Sequence, residues 1–158
     1  MNDQEAFAIA VEEAKLSYNE GGVPVRNFHP GAKMHSLTLQ IGAALVSKDG
    51  KLIGRGHNMR VQLGSPIHHG ETSALYNSGR LPASAYVGST MYTTLSPCDM
   101  CTGACLLYGV SRVVIGENNT YLGGEAYLKQ RGVEVVNMKS QECQDLMEKF
   151  IKEKPETW

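Results

Sequence analysis

Two short segments, His69-Gly70-Glu71 and Pro97-Cys98-Asp99-Met100-Cys101, constrain this chain more than any other feature, because a fold that uses both must bring two helix starts together across an intervening strand. Two thiols separated by two residues at the start of a helix lie on one side of its first turn, where the N-terminal amides and the helix dipole favour thiolate. Both sulfurs can then face one ion, and His69 supplies a third ligand. A Cys₂His set leaves one tetrahedral position of a zinc ion open for water, which is the arrangement of a catalytic site. Glu71 stands two residues after His69, close enough to handle the protons of that water without binding the metal. The competing readings are a redox pair at Cys98 and Cys101, which leaves His-x-Glu unexplained, and His68 in place of His69, which the His-x-Glu spacing disfavours. Cys105 is close enough in sequence to approach the site but reads as a small buried thiol of the core.

The rest of the chain supplies a scaffold for these two helix starts. Phe7, Ile9, Ala10, Ala14 and Leu16 recur at near-helical spacing from Asn2 to about Tyr18, with Asn2 and Glu5 placed as a capping pair and Gly21-Gly22 as a stop. Ile41 to Val46 and Lys51 to His57 read as antiparallel strands around the turn Lys48-Asp49-Gly50. A helix is expected from about Gly70 to Asn77, a strand from Thr90 to Thr94 and a helix from Asp99 to Tyr108. Arg112 to Ile115, Glu125 to Gln130 and Val133 to Val136 then read as strand, helix and strand, a crossover that makes the two strands parallel. A last helix runs from about Gln141 to Lys152, with a solvated charged face from Glu148 onward. The expected architecture is α/β, a mixed sheet of about five strands between helices, as one domain over 1–158.

Composition narrows the function classes. Fifteen Lys and Arg against 16 Asp and Glu give a net charge of −1, so no global basic field holds a nucleic-acid backbone. No window reaches the roughly 18 consecutive apolar residues of a membrane span, and no basic-then-apolar leader is present, which favours a protein of the cytoplasm or nucleus. Four cysteines in a reducing compartment read as ligands or core residues, not disulfides.

His-x-Glu followed by Pro-Cys-x-x-Cys is the mark of the zinc nucleobase deaminases. Together with Gly54-Arg55-Gly56-His57-Asn58-Met59-Arg60, Thr93-Thr94-Leu95-Ser96, Thr102-Gly103-Ala104, Gly116-Glu117-Asn118, Lys129-Gln130-Arg131-Gly132 and Phe150-Ile151, these residues make the chain resemble the fungal cytosine deaminases of the cytidine deaminase superfamily. The resemblance implies a cytidine-deaminase-like three-layer fold and a cytoplasmic homodimer with one zinc per chain. It also implies hydrolysis of free cytosine, and of 5-fluorocytosine, to the uracil and ammonia in pyrimidine salvage. Carried over by position, it makes His69, Cys98 and Cys101 the ligands and Glu71 the proton shuttle. Asn58 would hold the pyrimidine edge, the Gly70 amide would donate to the ring carbonyl, and the Ser96 carbonyl would accept from the exocyclic amine. Tyr121, where the family has phenylalanine, and Trp158 would wall the ring. Without the resemblance, Asn58 reads as a turn residue after a strand.

Two places depart from that pattern. Val25 to Gln40 lengthens the connection between the first helix and the first strand, and removing it joins Gly22-Val23-Pro24 to Ile41-Gly42-Ala43. It is either a surface loop, which costs little closure entropy, or a translated short intron, since valine codons begin GT and a glutamine codon can end AG. The family also continues with an acidic pocket segment beyond the tryptophan at which this sequence stops. The alternative functions are another zinc deaminase, acting on guanine, a nucleoside or tRNA adenosine, and an inactive homologue serving as a binding partner.

Overall fold

The computed structural model describes residues 1–20 and 40–153. Trp158 and all but Gln40 of the 25–40 segment lie outside the described residues, as does the Gly21-Gly22 stop. The elements in chain order are α1 (Asp3–Glu20), β1 (Gly42–Val46), β2 (Leu52–His57), α2 (Gly70–Asn77), α3 (Ala83–Tyr86), β3 (Thr90–Leu95), α4 (Asp99–Leu107), β4 (Arg112–Glu117), α5 (Glu125–Gln130), β5 (Glu134–Asn137) and α6 (Gln141–Glu153). Among them no helix is long and apolar enough to cross a membrane.

The strands form one mixed sheet in the order β2-β1-β3-β4-β5. β1 is antiparallel to both β2 and β3, whereas β3, β4 and β5 run parallel. The β1–β2 turn is the expected one: the Gly50 amide donates to the Ser47 carbonyl at 2.9 Å and Gly50 has φ +78°, a conformation that favours glycine. The parallel pairs follow from α4 and α5, each of which carries the chain back over the sheet.

Strand periodicity divides the core in two. Ala43, Leu45, Met91, Val113 and Ile115 point to one face and pack with Ala74, Cys105 and Leu128 of α2, α4 and α5. Their neighbours Ala44, Val46, Tyr92 and Val114 point to the other face, against Ala6, Phe7, Ala10 and Val11 of α1 and Cys143 of α6. The result is three layers, and it leaves β1 buried along its whole length.

The expected Asn2–Glu5 cap is present, each backbone amide donating to the other side chain at 2.9 Å. The buried stripe of α1 runs through Ala6, Phe7, Ala10, Val11, Ala14 and Ser17, so Leu16 falls outside it and is exposed. β3 and β4 run on to Leu95 and Glu117, and β5 starts at Glu134, because the parallel ladder pairs Leu95 with Glu117 and Arg112 with Glu134. The four-residue α3 has no helical period to read in sequence; its start at Pro82 and the Tyr86 hydroxyl, which donates to the Gly79 carbonyl at 2.5 Å, hold it.

Candidate active site

The two helix starts meet as the motif spacing requires. His69 is the residue before α2 and Cys98 the residue before α4, and both have the extended backbone of a residue that opens a helix. Thr72 secures the first end, its hydroxyl oxygen accepting from the His69 amide at 2.9 Å. Gly124 secures the second, its amide donating to the Pro97 carbonyl at 2.8 Å.

His69 Nδ1 lies 3.5 Å from Cys98 Sγ and 3.7 Å from Cys101 Sγ. Zinc bonds of about 2.3 Å to sulfur and 2.0 Å to nitrogen at a tetrahedral angle separate those atoms by about 3.6 Å. The three ligand atoms, all within 4.8 Å of one another, therefore fit one zinc ion with a fourth position left over. The donor chemistry agrees. A hydrogen bond from Cys101 holds the Cys98 thiol at a pKa of about 3, while the same bond and burial push Cys101 up. Thiolate, the form a metal binds, is thus favoured at Cys98.

Glu71 lies in the first turn of α2 and is 2% exposed. The Thr93 hydroxyl on β3 is 3.1 Å from its Oε1. Burial raises the Glu71 carboxyl above the ordinary range, against the lowering effect of its own amide and of Cys101. A carboxyl so placed can exist in both protonation states during one reaction.

Of the other expected residues, Asn58, Gly70, Ser96 and Tyr121 lie among the described residues, and Trp158 lies outside them. Asn58 is 0% exposed; its Oδ1 accepts from the Arg60 amide at 3.0 Å, and its Nδ2 has no hydrogen-bond partner among the described residues. The Ile41 carbonyl accepts from the Asn58 amide at 3.0 Å and would lie 3.0 Å from a Cβ at Gly70, so Asn58 and Gly70 meet at one backbone group. Ser96 is buried on the turn from β3 to Cys98. Tyr121 is partly exposed, and its hydroxyl is raised by burial and then by the negative charge of Cys98 and Asp99. His68 turns away, its Nδ1 2.8 Å from Ser65 Oγ and its ring edge-on to Tyr76. Cys105 is fully buried in the core. Sequence reasoning missed Thr93, Glu117 and Glu125 as partners of the site, since nothing in a single Thr or Glu codes for its burial.

Comparison with known proteins fits this geometry. The model of the cytidine and deoxycytidylate deaminase zinc-binding region matches residues 31–117. The chain belongs to the cytidine and deoxycytidylate deaminase family. Within that family it is 52% identical to the cytosine deaminase of Candida albicans over 99% of this chain and 94% of that one. A tRNA-specific adenosine deaminase of Streptococcus pyogenes is 36% identical over 58% of each chain. Among solved structures, a tRNA:A34 deaminase superposes with a TM-score of 0.69 at 22% identity, covering 90% of this chain and 99% of that one. The guanine deaminase of Nitrosomonas europaea superposes with a TM-score of 0.66 at 20% identity, covering 93% of this chain and 84% of that one. These two structural likenesses show that the chain has the deaminase fold.

Proposed function

We propose that this chain hydrolyses free cytosine, with water, to uracil and ammonia, as a single zinc deaminase domain carrying an insertion at 25–40. The observation that carries the reading is the 52% identity to a cytosine deaminase over nearly the whole chain. His69, Cys98 and Cys101 hold one zinc ion, which when bound lowers the pKa of water towards neutrality and supplies a nucleophile. Glu71 takes one proton of the water that adds to C4 and passes it to ring N3, then takes the remaining proton of the hydroxyl now on C4 and delivers it to the amine, so that the C4–N bond breaks, ammonia leaves and the C4 oxygen becomes a carbonyl. Its buried position suits both steps, because burial raises its carboxyl above the ordinary range and so makes the protonated form easier to reach.

Binding falls to the groups around it. The unpartnered Asn58 Nδ2 is a buried donor that gains a bond when it meets the pyrimidine edge. The Gly70 amide donates to the ring carbonyl and the Ser96 carbonyl accepts from the exocyclic amine. Tyr121 and Trp158 wall the ring and exclude water.

We assign the chain to a homodimer in the cytoplasm or nucleus. In support, α2, α3 and α4 line an apolar groove of about 1110 Å³ whose lining includes none of the zinc ligands, and of its lining residues Tyr76 and Leu107 are 70% and 80% exposed. A monomeric mass in sedimentation at micromolar concentration contradicts that assignment. The activity is tested by offering zinc-loaded protein cytosine, cytidine, guanine and a tRNA bearing the wobble adenosine. Uracil formation from cytosine at a kcat/KM at least roughly a hundred-fold above the others is expected. Preference for any other substrate, or no turnover with zinc bound, overturns the reading.

A further inference from the structure

The buried carboxylate of Glu125, at the first position of α5, has no part in the mechanism above. It is 7% exposed, and among the described residues no Lys, Arg or His lies within ion-pair distance of it. Its partners are neutral: Ser96 Oγ donates to Oε1 at 2.8 Å, and Asn118 Nδ2 lies 3.2 Å from Oε1 and 3.4 Å from Oε2. Burying a carboxylate among neutral donors is costly and holds those donors closely to its geometry.

Those donors lie on the β3–α4 and β4–α5 connections. Ser96 Oγ also accepts from the Gly123 amide at 3.0 Å, so its hydroxyl is used in both directions. The Gly124 amide donates to the Pro97 carbonyl at 2.8 Å, and a Cβ at Gly123 or Gly124 would come within 2.0 Å of that carbonyl or 2.2 Å of Thr102 Oγ1. At the other end of the loop, Glu117 Oε2 accepts from the amides of Asn119 and Thr120 at 2.7 and 3.0 Å. Tyr121 therefore stands on a loop staked at both ends, and Glu125 adds a side-chain tie to Ser96 beside the bonds made by the Gly123 and Gly124 amides.

We propose that Glu125 is a positioning residue that sets the direction of the Ser96 carbonyl and couples it to the Tyr121 loop, so that the site recognises an exocyclic amine on its ligand. The inference rests on the cytosine reading above. A carbonyl accepts from the amine at C4 of cytosine but repels the carbonyl oxygen at C4 of uracil. A carbonyl released from its anchor loses that distinction, and the loss falls on cytosine more than on uracil.

The test measures cytosine turnover, inhibition by uracil, zinc content and amide hydrogen exchange in zinc-loaded wild type, Glu125→Ala, Glu125→Gln and Ser96→Ala. Ser96→Ala removes the hydroxyl and keeps the backbone carbonyl. Glu125→Ala is expected to raise the KM for cytosine roughly ten-fold while the uracil inhibition constant stays within about two-fold. Zinc stays at one per chain, Glu125→Gln recovers most of the loss through its remaining carbonyl oxygen, and the double variant Ser96→Ala/Glu125→Ala is no worse than Glu125→Ala. Exchange over the 118–124 segment rises in Glu125→Ala and in Ser96→Ala. A cytosine KM within two-fold of wild type, a parallel rise of KM and uracil inhibition constant, additive losses in the double variant, or unchanged exchange overturns the proposal. Wild type that makes no uracil from cytosine overturns the cytosine reading instead, and the exchange measurement then still tests the Glu125 anchor by itself.

Discussion

Asn58 holds a contradiction that a ligand resolves. A carboxamide with one oxygen bonded and one amide nitrogen buried without a partner costs free energy in the folded chain, and that cost is recovered when an acceptor arrives. Asn58→Ala removes the donor, and we expect the KM for cytosine to rise about 10- to 100-fold with zinc content unchanged, as steady-state kinetics and metal analysis would read. Unaltered KM would remove Asn58 from the binding edge. The same residue marks where sequence reasoning stops. With Gly56 and His57 before it, Asn58 reads as turn chemistry, and only the family resemblance lifts it to a binding residue. His69, Cys98 and Cys101 were legible because metal ligation imposes a spacing on the chain. Glu125 and Thr93 were not, because hydrogen bonding to Ser96 or Glu71 leaves no spacing behind.

At the level of elements, the N-terminus of α1 is tied to the sheet by charge. Arg112 of β4 donates to both Asp3 oxygens at 2.7 and 2.8 Å, and the Tyr92 hydroxyl of β3 donates to Oδ1 at 2.7 Å. Those bonds, Arg112 first, lower the Asp3 carboxyl from 3.8 to about 2. A folded-state value below the unfolded one means that the contribution is complete above about pH 4 and is lost as pH falls towards 2. The Asp3 side chain is 42% exposed, so solvent screening leaves about 1 kcal/mol of it. Asp3→Asn should therefore destabilise by about that amount at pH 7 and flatten the acid limb of stability between pH 4 and 2, read by urea unfolding. Equal acid sensitivity in variant and wild type would contradict this. Elements with one buried face were legible to the residue, as with Gly70 to Asn77 and Glu125 to Gln130. Leu16 misled because apolar character was taken for the core stripe, which in α1 runs through Phe7 and Val11 together with Ala6, Ala10, Ala14 and Ser17. Alanine is small enough to let helix backbone and sheet come close, as Gly42 does where a Cβ would fall 2.2 Å from the Ala10 carbonyl.

For the whole molecule, sheet order decides where chemistry is done. β3 and β4 run parallel, and their carboxyl ends deliver Ser96 and Glu117 to the same edge at which α2 and α4 begin. Parallel strands gather side chains at that edge, and two helix N-termini add partial positive charge beside thiolate and carboxylate. The parallel run of β4 and β5 was legible from the helical crossover between them, whereas the order of all five strands was not, and the meeting of α2 with α4 rested on the metal motif alone. The central claim is that this edge holds zinc and that Glu71 moves the protons. Glu71→Gln keeps the size of the side chain and removes its acid–base chemistry. Measured together, zinc content and uracil formation should show one zinc per chain retained and kcat reduced by at least roughly a hundred-fold. Turnover within a few-fold of wild type in the zinc-bound variant would contradict the account.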